Sequence, residues 1–302
     1  MKTREALPLL ALLALAGGAS GETTSVPVVE SPLTRHYADG ETLRYRIDGT
    51  HSMQGSITDS YHAEADALVK ESPEGVFHEE LQWTHVQRMG RDVPLPPDSL
   101  GFRQSLSLDP KFKSSVPDLS RLNSSLYGPI LDMLTFYSDY WLAVRKGLRL
   151  KAGDHAFVPY GKPSSWADGT RVVSGYDCID FDLTVAAVDP EGKTATLKVR
   201  HVPPTDICGS VPAEWMRKPV SDAQNNWFQV EKKGEDRYDA GVGKETFDAE
   251  VEILLPSGVI KSAAMFNPVE LEQRTCSDAA LSNCGAPEKV EIVRRITLAL
   301  ER

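Results

Sequence analysis

After residue 16 the chain has no apolar run approaching the ~20 residues that a helix needs to cross a bilayer, so no transmembrane segment is expected. It also lacks a basic excess: 33 Lys and Arg face 43 Asp and Glu, a formal net charge of −10. That balance argues against nucleic acid as a partner, because phosphate contacts demand a basic surface. No Gly-x-Ser-x-Gly elbow is present, and the glycines are scattered through turns instead of forming a phosphate-cradling loop. Cysteine is scarce, with four in the whole chain and no Cys-x-x-Cys spacing of the kind redox enzymes use. No catalytic residue, cofactor or resident metal is expected.

What is present begins with "MKTREALPLLALLALAGGASGE". Lys2 and Arg4 supply a positive start, Ala6 to Ala16 an apolar stretch, and Gly17-Gly18-Ala19 a small-residue cleavage zone. Residues 1–19 therefore read as an export signal, which places the mature protein in the periplasm or outside a bacterial cell. Residues 20–36 read as a flexible leader, and residues 37–302 as a single β-rich domain. Export makes the even cysteine count favour disulfides. Four cysteines allow three pairings; local geometry favours Cys178 with Cys208 across a hairpin and Cys276 with Cys284 across a short polar loop.

Period-two alternation dominates the domain. Leu43, Tyr45 and Ile47 share one face of a strand, and Tyr61, Ala63, Ala65 and Ala67 share one face of the next. Hairpins are predicted at Asp189 to Lys193, at Lys233-Gly234-Glu235 and at Pro256-Ser257-Gly258. In the last strand Val290, Ile292, Ile296, Leu298 and Leu300 lie on one parity, interrupted by Arg294. The fold class is thus mainly β: a curved antiparallel sheet, open barrel or sandwich with one wet face. One helical segment interrupts it at about 117–146. There Leu119, Leu122 and Leu126, then Ile130, Leu134, Tyr137, Trp141 and Val144, recur at helical spacing, and Gly147 is a natural terminator.

Two segments invite chemistry. "FHEELQWTH", Phe77 to His85, superficially resembles a zinc helix, but its histidines are seven apart and its pattern is that of a strand. Strict alternation puts His78 and His85 on opposite faces, so no shared ion is expected from this pair. In "YDCIDFD", Asp180 and Asp182 share a face, but the calcium-loop pattern is absent, so these are expected to be solvated strand carboxylates. Asn123-Ser124-Ser125 matches a glycosylation triplet but falls in the predicted helix.

Ile130 to Tyr160, "ILDMLTFYSDYWLAVRKGLRLKAGDHAFVPY", resembles exported bacterial proteins of domain-of-unknown-function family 3108. In that family an aromatic, Leu-rich helix end precedes a Lys-x-Gly-Asp lead into a strand, here Lys151 to Asp154. "DGETLRYRIDG", Asp39 to Gly49, is similar to the family's first strand. The four cysteines and the segment from Phe247 to Cys284 fall outside the resemblance. It implies a curved antiparallel sheet wrapped partly around a helix, with no known activity.

Two functional expectations follow, and a hydrolase without a recognisable motif ranks below both. The first is a soluble binding or carrier module for a small apolar ligand, lined by Trp83, Phe136, Tyr137, Tyr140 and Trp141. The second is an envelope assembly or interaction protein that works through its surface on an envelope protein partner.

Overall fold

The computed structural model of the protein describes residues 32–112, 117–159, 164–165, 171–205 and 210–301. The predicted export signal and Cys208 lie outside the described residues. Three strands open the sheet as a meander: β1 (Thr42–Met53), β2 (Ser56–Glu71) and β3 (Phe77–Arg88). Two short strands, β4 (Arg91–Asp92) and β5 (Gln104–Leu106), pair with the outer edge of β3, separated in sequence by the one-turn helix α1 (Pro97–Gly101). The long helix α2 (Tyr127–Arg145) follows. After it come β6 (His155–Val158), β7 (Ser164–Ser165), β8 (Val172–Asp177), β9 (Asp180–Asp189) and β10 (Thr194–Val202). The chain ends with β11 (Trp227–Gly234), β12 (Arg237–Glu245), β13 (Phe247–Leu254), β14 (Ile260–Cys276) and β15 (Glu288–Glu301).

All these strands join one antiparallel sheet that stays open, not closed into a barrel. β15 returns to pair with β1, so the first and last strands are neighbours. β12 and β13 run against β14 in one unbroken register across Thr246, with Glu245 opposite Val269 and Asp248 opposite Phe266. On their far edge the partner changes from β11 to β10. The sheet therefore forks there, into a β11–β8–β7 arm and a β10–β9–β6 arm.

A fork leaves backbone groups without ladder partners, and buried ones must be satisfied some other way. The Asn226 side chain does this. Its Nδ2 donates to the carbonyls of Cys178 and Glu245, both at 3.0 Å, and its Oδ1 accepts from the Glu245 amide at 2.7 Å. Asn267 adds a bond from Nδ2 to the Thr246 carbonyl at 2.9 Å.

The core lies between α2 and the inward face of the sheet. Ala63, Ala65 and Ala67 line that face of β2, and their small side chains leave room for the helix. Gly49 has a sharper reason: a Cβ there would sit 2.2 Å from the Tyr61 ring, which crosses its backbone. The helix is shorter than expected, because it starts at Tyr127 and not near residue 117. Asp118 Oδ1 accepts from the Ser120 amide at 2.9 Å and Asn123 Oδ1 from the Ser125 amide at 3.0 Å. Such turns offer the backbone an alternative to the helix, and they win over the Leu119–Leu122–Leu126 spacing. At the other end Gly147 (φ +74°) closes the helix, with amides 147 and 148 bonded to the carbonyls of Val144 and Ala143.

A second, smaller core under the β11–β8 arm gathers Met216, Phe228, Val242 and Leu281. The expected Cys276–Cys284 bridge is formed beside it. Cys178 is buried and disulfide-bonded. The end of the expected leader is docked: Leu33 is buried and its amide bonds the Leu148 carbonyl at 3.0 Å. No described helix is long and apolar enough to cross a membrane.

Candidate functional site

The aromatic set predicted to line a pocket is brought together, but within the core. Trp83, Phe136, Tyr137 and Tyr140 are each 2% exposed or less, and the half-buried Trp141 packs against the same cluster. Trp83 Nε1 donates to Gln104 Oε1 at 3.1 Å, and Gln104 Nε2 donates to the Ile130 carbonyl at 2.9 Å. The rings thus join strand edge to helix.

Beside them is a buried carboxylate. Glu79 shares the inward parity of β3 with Leu81 and Trp83 and is 1% exposed. Its Oε2 accepts from Tyr137 Oη at 2.6 Å and Tyr45 Oη at 3.2 Å, and its Oε1 accepts from Arg35 Nε at 3.4 Å. Arg35 Nη2 also donates to Glu41 at 2.7 Å. Burial pushes the Glu79 carboxyl up, against the opposing pull of Arg35 and the two hydroxyls. Burial likewise pushes Tyr37 up to about 12.

The helix carries two more buried acids, Asp132 and Asp139, seven residues and so two turns apart on its sheet-facing stripe. Tyr61 Oη donates to Asp132 Oδ2 at 2.6 Å, while Arg294 Nη2 donates to Asp132 Oδ1. His201 Nε2 bonds Asp139 Oδ1 at 2.8 Å, with the imidazole between the Phe181 and Phe247 rings. The helix is therefore pinned to β15 by an ion pair and to β10 by a carboxylate–imidazole hydrogen bond.

His201 stands at the fork, where other acids gather. Asn267 Nδ2 donates to Glu245 Oε1 at 3.1 Å, and burial pushes the Glu245 carboxyl up to about 7. Burial pushes Asp177 up to about 6. Burial alone would lower His201, but Asp139, with Glu245 and Asp177 behind it, outweighs that and leaves it raised. A hollow of about 230 Å³ opens there, lined by His201, Lys244, Phe247, Asp248 and Glu270 among others. His201 Nδ1 is buried with no hydrogen-bond partner among the described residues. Of the acids in "YDCIDFD", Asp182 stays part-exposed beside His155, whereas Asp180 is buried against expectation and Asp177 has a buried oxygen without a partner among the described residues.

The outward face is different in kind. A hollow of about 770 Å³ spans the ends of β15, β1, β2 and β3. Six charged side chains line it, Arg44, Lys70 and Arg103 against Asp66, Glu80 and Glu301, around the exposed Leu68, while Leu43 and Leu300 border it from the core side. Lys70 Nζ reaches Glu80 at 2.7 Å, and Arg44 bonds Glu64.

Further along this face, β3 departs from strict alternation. Glu64 pairs with His85, but Ala65 pairs with Trp83, so Thr84 is an extra residue in a bulge. The bulge reverses parity, and Val86 turns inward where Thr84 had pointed out. His78 and His85 are consequently on the same face, contrary to the expectation from alternation. They lie near opposite ends of the strand, and His85 instead meets His62, whose ring centroid is 5.9 Å away. Glu64 lies between them, with Oε1 3.6 Å from His62 Nε2 and 3.9 Å from His85 Nδ1.

Each residue that alternation overlooked was visible as a charge on an apolar parity: Glu79 between Phe77 and Leu81, Asp132 and Asp139 in the helix stripe, and Arg294 in the last strand. His62 and Glu64 were legible as neighbours on the polar face of β2. Their meeting with His85 depends on a bulge that the residue pattern does not announce.

Comparison with protein-family models and with curated protein sequences yields no match. Among solved structures, the chain has a distant likeness to MucB in complex with the periplasmic part of MucA. The identity is 11% and the TM-score 0.17, over 86% of this chain and 89% of that one. A Pseudomonas aeruginosa MucA/MucB complex compares at 10% identity and a TM-score of 0.15, over 87% of this chain and 90% of that chain. Overlap this low carries no argument about fold or function.

Proposed function

We propose that the protein is an exported, non-catalytic interaction module that engages an envelope protein through the outward face of its sheet. The observation that carries this reading is the open hollow at the ends of β15, β1, β2 and β3, where six charges of both signs surround the exposed Leu68 and the edges of Leu43 and Leu300. Mixed charge around scattered apolar surface suits a polypeptide segment, which presents both kinds of group, better than a lipid tail. The aromatic residues that would hold an apolar ligand are engaged in packing helix to sheet. The Cys276–Cys284 bridge fits an oxidising compartment and supports the export reading.

The test is cross-linked capture from an envelope extract with the full chain, compared with Lys70→Glu and Arg103→Glu. A discrete partner captured by the wild type and lost from both variants is the expected result. Native mass spectrometry showing a co-purifying lipid, with capture unaffected by the charge reversals, would replace this reading with the carrier.

A further inference from the structure

The geometry points to a divalent transition-metal site on the outward face of the sheet, formed by His62, Glu64 and His85 and suited to Zn²⁺ with a water completing four-fold coordination. This inference is independent of the partner-binding reading. The three residues come from two adjacent strands: His62 and Glu64 lie two apart on β2 and so share a face, and the bulge in β3 brings His85 directly opposite Glu64. Each offers one ligand atom, and all three atoms lie within 4.8 Å of one another. Metal bonds of about 2.0–2.1 Å at a tetrahedral angle hold ligand atoms about 3.3 Å apart. The distances from Glu64 Oε1 to the two ring nitrogens, 3.6 and 3.9 Å, need to contract by about 0.3 and 0.6 Å, and the two imidazoles, within 4.8 Å of each other, close by rotation of part-exposed side chains.

The surroundings orient these atoms. His62 Nδ1 bonds Asp48 Oδ1 at 2.7 Å, which leaves Nε2 turned toward Glu64. His85 Nε2 bonds Asp92 Oδ1 at 3.1 Å, which leaves Nδ1 turned toward the same oxygen. A carboxylate holding the far nitrogen of an imidazole fixes its tautomer and ring orientation, and that is the usual support for a metal-bound histidine. Glu64 is oriented in the same sense: Arg44 takes Oε2 and leaves Oε1 to the imidazoles. Gln87 Nε2 donates to Asp92 at 2.9 Å and steadies it in turn. Two imidazoles and one carboxylate are a borderline donor set, matched to Zn²⁺ or Cu²⁺ and poorly matched to Ca²⁺ or Mg²⁺. All three side chains are half-buried, so water can reach the remaining position.

The experiment is titration of the full mature chain with Zn²⁺ against a chromophoric chelator, repeated with Co²⁺ as a spectroscopic substitute. One equivalent bound per chain is expected, with the intense visible bands of four-coordinate Co²⁺. His62→Ala, Glu64→Gln and His85→Ala each lower the affinity at least ~10-fold, and Asp48→Asn and Asp92→Asn lower it about 10-fold. His78→Ala, near the opposite end of β3, leaves it unchanged. Zn²⁺ also raises the melting temperature of the wild type but not that of His62→Ala, which melts like the metal-free wild type. The assignment is overturned if the wild type fails to hold the ion against the chelator. It is equally overturned if His62→Ala and His85→Ala bind as the wild type does, which would place the ion elsewhere.

Discussion

The two faces of the sheet use charge in opposite ways. On the inward face Glu79, Asp132 and Asp139 each sit at 2% exposure or less, each tied to a basic group on another element. On the outward face Arg44 bonds Glu64, and Arg44, Arg46, Asp66 and Glu301 share partners at 3.1 Å to nearly 4 Å and remain open to water. A buried ion loses its hydration and depends on its one partner, whereas an exposed ion loses little when a partner leaves. The charges that bear on stability are therefore concentrated on the inward face, and the proposed partner and metal sites lie on the other.

The sharpest way to break that contrast is to strand a buried charge. Glu79→Ala leaves Arg35 buried without its inner partner and frees the Tyr45 and Tyr137 hydroxyls. The expected cost is about 3–5 kcal/mol in chemical denaturation. Because Arg35 also fastens the segment before β1, this variant should become sensitive to limited proteolysis near residue 35; unchanged stability would mean that the clamp is not under load. Arg294→Met is expected to cost about 3 kcal/mol, since Asp132 then keeps only Tyr61.

The fork adds a dependence on pH. Glu245 is raised from 4.5 to about 7, so the fold favours its protonated form. Its contribution is intact below about pH 4.5 and lost as the pH rises through about 7, a change on the order of 3 kcal/mol. His201 is also raised, so it too favours folding at lower pH and loses that contribution as the pH rises. Thermal melts should thus show a more stable protein at pH 5 than at pH 8, and Glu245→Gln should flatten the difference. A wild type that is more stable at pH 8 would contradict this picture of the fork.

The smallest effect belongs to the outward face. Lys70 Nζ lies 2.7 Å from Glu80 at the solvent side of β2 and β3, and Lys70→Ala should cost under about 1 kcal/mol. A cost comparable to that of Arg294→Met would erase the distinction between the faces.

Fold class was legible because period-two alternation is a direct record of which side of a strand meets water. The hairpin after Asp189, the strand reversal near Pro256 and Gly258, and the Cys276–Cys284 bridge are local features, so short stretches of chain sufficed to predict them. The helix start was misplaced because Asp118 and Asn123 bond their own backbone, a competition that apolar spacing does not register.

The candidate site depended on contacts between residues far apart in the chain. Asp132 finds Arg294 across 162 positions, and His201 finds Asp139 across 62. Alternation can mark a residue as inward or outward, but it cannot say which distant strand will lie alongside. The single extra residue at Thr84 then moved His85 to the face where His62 and Glu64 stand. The sequence by itself determined an antiparallel β protein with one helix and a short stapled loop, because those properties are set by neighbours along the chain. Only the tertiary structure decided where the sheet forks, which charges are buried and which imidazoles meet, because these follow from register and long-range pairing.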